Sequence, residues 1–101
     1  MEVNMTINKN IDGSGCTLEV AGRLDTMSSP EFEKKILEIS DCDSLIIDCS
    51  NLEYISSAGL RIFLTTHKAF SKKGGMVLKN VKKEVLEVLE VTGFTDFLKI
   101  E

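Results

Sequence analysis

The sequence predicts an α/β domain built on a mixed sheet, and three observations predict it. Two short segments of strand character open the chain with turn residues between them, brief unbroken apolar runs follow, and amphipathic stretches separate those runs. Strands that alternate with helices pair in parallel through crossovers, whereas two strands joined by a tight turn pair antiparallel. The expected architecture is therefore an N-terminal antiparallel hairpin continued by parallel strands, four to five in all, with packed helices. The 101 residues fit one domain over 1–101, large enough to bury roughly two thirds of its unfolded surface without disulfides or metal.

Val3 to Ile7 reads as the first strand, and Cys16-Thr17-Leu18-Glu19-Val20 alternates as a half-buried second one. Asn10, Asp12, Gly13 and Gly15 supply the turn between them. Gly22 to Thr26 leads into Ser28-Ser29-Pro30-Glu31, where a capping serine precedes a proline preset for the first helical turn and a glutamate favoured there by the dipole. Phe32, Ile36 and Ile39 give that helix its buried face, with Glu31 in reach of Lys34 and Lys35 on the other side.

Leu45-Ile46-Ile47 is a continuous apolar run, the mark of a strand covered on both faces; it ends at Asp48. A short polar loop then delivers the paired Ser56-Ser57 to a second helix, from Ser57 to Ser71, terminated by Gly74-Gly75. Met76-Val77-Leu78 is another short strand, and Val85, Leu86, Val88 and Leu89 mark a third helix closed by Gly93. Phe94 to Ile100 packs the C-terminus in a form that periodicity does not assign.

Composition narrows the function classes. The net charge is −4, with no basic block beyond Lys72-Lys73 and Lys82-Lys83, so the phosphate-neutralising stripe needed for nucleic acid is missing. No stretch approaches the roughly 20 apolar residues of a membrane span, and the N-terminus does not read as a targeting segment; a cytoplasmic protein is expected. Cys16, Cys42 and Cys49 are odd in number and lack metal-ligand spacing. Cys16 and Cys49 read as buried hydrophobes, and Cys42, between two aspartates, as the exposed thiol.

Ser57 is the one candidate nucleophile, since a strand-to-helix turn exposes a hydroxyl in many hydrolases. Of the flanking glycines such an elbow requires, only Gly59 is present, because Ile55 holds the earlier position. The sole histidine, His67, lies ten positions along the same predicted helix, about 15 Å away at the helical rise. Lys72-Lys73-Gly74-Gly75 has the wrong order for a phosphate loop, and Gly13-Ser14-Gly15 lacks the third glycine of a dinucleotide fingerprint. Asp41, Asp43 and Asp48 do not have calcium-loop spacing. Neither a catalytic residue, a cofactor nor a metal is assigned.

Helical geometry gives one positive observation. Gly59, Ile62, Phe63, Thr66, Ala69 and Phe70 share one face, and Ser57, Arg61, Leu64 and Lys68 line the opposite one. The Ser57 hydroxyl thus points outward, on a row where Leu64 among charges suits a partner patch. A phosphoryl group there would meet free N–H groups at the helix start and have Arg61 one turn on. Two readings stay open on local chemistry alone: a helix cap, or a regulatory site.

Ile55-Ser56-Ser57-Ala58-Gly59-Leu60, preceded by Leu45-Ile46-Ile47-Asp48, resembles the signature of STAS-domain anti-sigma factor antagonists. Gly22-Arg23-Leu24-Asp25 followed by Ser29-Pro30-Glu31-Phe32 resembles the same family's second-strand exit and first helix, so the likeness covers essentially the whole chain. It implies partner switching without catalysis by this protein. The unmodified antagonist binds an anti-sigma factor that is also a serine kinase and frees the sigma factor; phosphorylation ends the contact, and a PP2C-type phosphatase restores it. Ser57 aligns with the phosphoacceptor, while Ser56 stands where the family often has an acidic residue and reads as the helix cap. Asp25 matches an acidic position near the acceptor, and Asp48 is expected to order the loop after the central strand. The implied partner surface is Asp25, Ser56, Ser57, Arg61 and Leu64. The same family contains constitutive modules of larger signalling or lipid-transport assemblies, which is the alternative reading; a serine hydrolase is the remote one.

Overall fold

The computed structural model describes residues 5–101. In order they form β1 (Met5–Asp12), β2 (Gly15–Leu24), α1 (Ser29–Glu38), β3 (Ser44–Ile55), α2 (Ser57–Phe70), β4 (Gly75–Lys79), α3 (Lys83–Val91), a 3₁₀ turn (Phe94–Asp96) and β5 (Lys99–Ile100). The sheet order is β1-β2-β3-β4-β5; β1 runs antiparallel to β2, and every later pair is parallel. The predicted mixed sheet with its opening hairpin is therefore what the chain forms. Of the first predicted strand, Val3 and Asn4 lie outside the described residues, and β1 reaches five residues past Ile7, so the turn narrows to Gly13-Ser14. The unassigned C-terminus becomes the 3₁₀ turn and the short edge strand β5.

One row of side chains carries the core. Cys16, Leu18 and Val20 of β2 align with Leu45, Ile47 and Cys49 of β3 and with Met76 and Leu78 of β4, all at most 4 % exposed. The apolar stripes of the helices complete it through Phe32 and Ile39, Leu60 and Phe63, and Val85 and Leu89. The expectation that β3 is covered on both faces is corrected: Ile46 and Val77, on the opposite row, are only half-buried, so the sheet has one closed face.

A second correction concerns the polar stretch after Asp48. It is not a loop: β3 continues to Ile55 through Ser50, Asn51, Glu53 and Tyr54, all exposed, while Cys49, Leu52 and Ile55 point inward. Register shifts at Glu19/Ala21 and Gly22/Arg23 insert extra residues in β3 opposite β2. The inward residues thus recur every third position instead of every second, which hides the strand from a period-two reading. Gly22 at φ 99° supplies the left-handed backbone at the second irregularity.

Asp48 accordingly sits inside the strand. Its carboxylate accepts the Ser50 N–H at 3.0 Å and the Asn80 side-chain amide at 3.2 Å, fastening β3 to the end of β4. These hydrogen bonds, the one from the Ser50 backbone first, hold its acidity below the usual carboxylate range. A depressed folded-state pKa contributes stability that is present above the unfolded value of 3.8 and is lost as pH falls through the folded one. The melting temperature of Asp48→Asn should therefore fall short of the native chain's at neutral pH, with the gap closing in acid. A gap that is constant from neutral to strongly acidic pH in calorimetry would contradict that linkage.

The helix faces fall nearly as periodicity predicts. Gly59, Ile62, Phe63, Thr66 and Phe70 are buried, and Ser57, Arg61 and Lys68 are exposed. Ala69 is exposed instead of buried because it borders a groove between α1 and α2, and Leu64 is half-buried. Along the same side of α2 the His67 ring meets Phe97 of the C-terminal turn at 5.3 Å. Cys42 is buried, not exposed: Lys73 reaches over its loop to the Ser40 and Cys42 carbonyls at 2.6 and 2.7 Å and holds it against the core. Burial pushes the Cys16 thiol up and drives Cys49 to about 12, so these two thiols stay protonated at neutral pH.

Candidate functional site at the helix starts

The site forms where two parallel strands end side by side. Leu24 and Ile55 are ladder partners, and the Ser56 N–H donates to the Leu24 carbonyl at 2.8 Å. The loops that leave these strands, one carrying Asp25 and the other Ser56-Ser57, therefore emerge at the same edge of the sheet. Carboxyl ends of adjacent parallel strands are where α/β folds gather their functional groups.

Ser56 and Ser57 take different roles. Ser56 is the N-cap, with extended backbone at φ −98° and ψ 175°; its hydroxyl accepts the Gly59 N–H at 3.4 Å, and its carbonyl accepts the Leu60 N–H at 2.9 Å. Ser57 is the first helical residue, exposed, and its hydroxyl has no hydrogen-bond partner among the described residues. Gly59 lets the turn sit tightly on the strands beneath. A Cβ there would lie 2.7 Å from Leu24 Cγ and 2.9 Å from Ile55 Cγ1, so a side chain would lift the helix start off the sheet.

On the neighbouring loop the expected serine cap of α1 is replaced by another arrangement. The Ser28 hydroxyl has one proton, and the 2.6 Å contact with the Arg23 carbonyl takes it; Ser29 donates back to the Asp25 carbonyl. Ser28 caps no helical N–H with its side chain; its oxygen instead accepts the Asp25 N–H at 2.9 Å. The Asp25 carboxylate in turn accepts the N–H groups of Ser28 and Met27, each at 3.0 Å. The Ser28 N–H, foremost among these bonds, keeps Asp25 more acidic than an ordinary aspartate, and hence ionised at neutral pH. Both buried serines tie the loop to the strand end and fix Asp25 beside the start of α2.

Arg23 completes the rim. Its guanidinium lies 4.1 Å above the Tyr54 ring and its Nε is 3.8 Å from Asp25 Oδ2, linking the two strand ends on the outside. Residue periodicity carried no sign of this stack, because the pairing of Arg23 with Tyr54 depends on the register irregularity. Thr26, Pro30, Glu33, Ala58, Arg61 and Ile62 line a shallow cleft between the two helix starts. Asp25, Ser56, Ser57 and Arg61 are thus brought to one end of the molecule, whereas Leu64 lies further down α2 and is half-buried.

His67 lies three helical turns from Ser57, against Phe97, which removes it as a base for that hydroxyl. No group of three or more His, Cys, Asp or Glu side chains suited to a metal ion occurs among the described residues, nor is any described helix long and apolar enough to cross a membrane.

The anti-sigma-B factor antagonist of Bacillus subtilis is 26% identical over 102 residues, covering 99% of this chain and 92% of that protein. Among solved structures, an anti-sigma factor antagonist from Mycobacterium paratuberculosis superposes with a TM-score of 0.86 at 21% identity, over 95% of this chain and 84% of that one. The anti-sigma factor antagonist SpoIIAA in its unphosphorylated form gives 0.80 at 16% identity, over 95% and 88%. These last two likenesses concern the fold. The family model for the STAS domain matches residues 2–101, and the chain belongs to the STAS domain family.

Proposed function

We propose that this chain, as one STAS module over 1–101, is an anti-sigma factor antagonist switched by phosphorylation of Ser57. In its unmodified form it binds an anti-sigma factor that is also a serine kinase and so releases the sigma factor. The kinase then phosphorylates Ser57 and the complex parts; a PP2C-type phosphatase returns the chain to its binding form. It is the substrate of both enzymes and catalyses nothing itself.

The observation that carries this reading is the division of labour between the paired serines: Ser56 spends its hydroxyl on the helix cap, and Ser57 holds an exposed, unpartnered one. That division favours Ser57 over Ser56 as the acceptor. A phosphoryl group on Ser57 would sit at the positive end of α2, with Arg61 one turn on, so the fold can carry it at little cost. Asp25, Ser56 and Arg61 surround the acceptor in the partner surface, and Leu64 extends it along α2 by its half-exposed side. The curated relative and the structural neighbours described above bear the name of anti-sigma factor antagonists.

Incubation with ATP and the anti-sigma factor serine kinase of the source organism tests the switch. Intact mass should rise by one phosphate, and fragmentation should place it on Ser57. A chain that binds the kinase yet stays unmodified would instead be a constitutive STAS module.

A further inference from the structure

The cleft at the helix starts does not end there. A groove with about 210 Å³ of space continues from it between α1 and α2, lined by Ile36, Leu37, Thr65, Ala69 and Phe70. Glu33 and Ile62 border both, so the two are one surface. The groove itself runs along α2 from Ile62 to Phe70, about 12 Å at the helical rise, two turns of a docked helix. Leu37 stands on its rim with 68 % of its surface exposed, apolar area left in water by the described residues.

Charge singles out the occupant. Lys73, at the far end, is committed to the Ser40 and Cys42 carbonyls and lies 4.7 Å above the Phe70 ring. Glu33 makes no ion pair among the described residues and stands where the cleft and the groove meet. An apolar channel with one free carboxylate fits an amphipathic helix whose apolar row is interrupted by a single Lys or Arg.

We infer that the groove docks such a helix of the anti-sigma factor, so that the partner grips the chain at two places. The Ser57 end is gated by charge, and the groove is not, because it lies beyond the phosphate's first turn. This rests on the function proposed above. It also divides the labour: the groove sets affinity in both phosphorylation states, and Ser57 sets the difference between them.

Isothermal titration of the full chain against the source organism's anti-sigma factor serine kinase decides it, with circular dichroism melting to confirm folding of each variant. Leu37→Asp and Glu33→Lys should each weaken binding at least about tenfold, in the native background and equally in Ser57→Asp. If both bind within about twofold of the native chain while Ser57→Asp is weakened, the groove inference falls and the switch stands. If Ser57→Asp binds like the native chain, the switch reading itself falls and takes the inference with it. Self-association that Leu37→Asp abolishes, with kinase binding intact, would overturn the inference by giving the groove to a second copy of this chain.

Discussion

Phe63→Ala is expected to cost about 4 kcal/mol of folding free energy and to lower the melting temperature by roughly 15 to 30 °C for a domain of this size. Phe63 is fully buried and meets the Phe32 ring edge-on, with centroids 5.9 Å apart, so it is the contact that seats α2 on α1. Its removal forfeits both the transfer of a large ring from water and the edge-to-face pairing, and leaves a cavity between elements joined to rigid strands. Total stabilities of such domains run about 5–15 kcal/mol, so the loss would consume a large part of the whole. Chemical denaturation measures it directly. A loss under about 1 kcal/mol would mean that the helices close over the gap.

Ser57→Asp is expected to weaken binding to the anti-sigma factor serine kinase about a hundredfold, equivalent to about 2.7 kcal/mol. Ser57→Ala should bind like the native chain and resist phosphorylation. The reason lies in where the charge falls. Within the free protein an anion at the first residue of α2 meets unpaired backbone N–H groups and is well tolerated. In a complex the same anion must be stripped of water against the partner, beside the ionised Asp25. Equal affinities of Ser57→Asp and Ser57→Ala in titration calorimetry would sink a charge-operated switch.

How much of this was legible beforehand depends on the range of the interaction that decides each feature. The two helices that flank the site, the hairpin and the cap at Ser56 are set by neighbours a few residues apart, and spacing plus turn and capping chemistry located them. Ser57 emerged as an outward hydroxyl from helical geometry alone, and its exposure agrees. Asp25 entered only through the family resemblance, since nothing in its immediate surroundings announces that two N–H groups close on its carboxylate. The Arg23–Tyr54 stack left no trace in the sequence, because 31 positions separate residues that one register places side by side.

The amino-acid sequence by itself determined the order of strands and helices as far as α3, most of the buried face of α2, and the placing of paired serines at a helix start, all consequences of periodicity and local backbone chemistry. Tertiary structure decided three things: that the polar stretch from Ser50 to Tyr54 is strand, that Cys42 is buried, and that a groove stays open between α1 and α2. The physical reason is shared. Ladder hydrogen bonds from β2 hold polar residues extended that would otherwise favour a loop, Lys73 draws a loop inward from 31 residues away, and the gap between two helices belongs to neither.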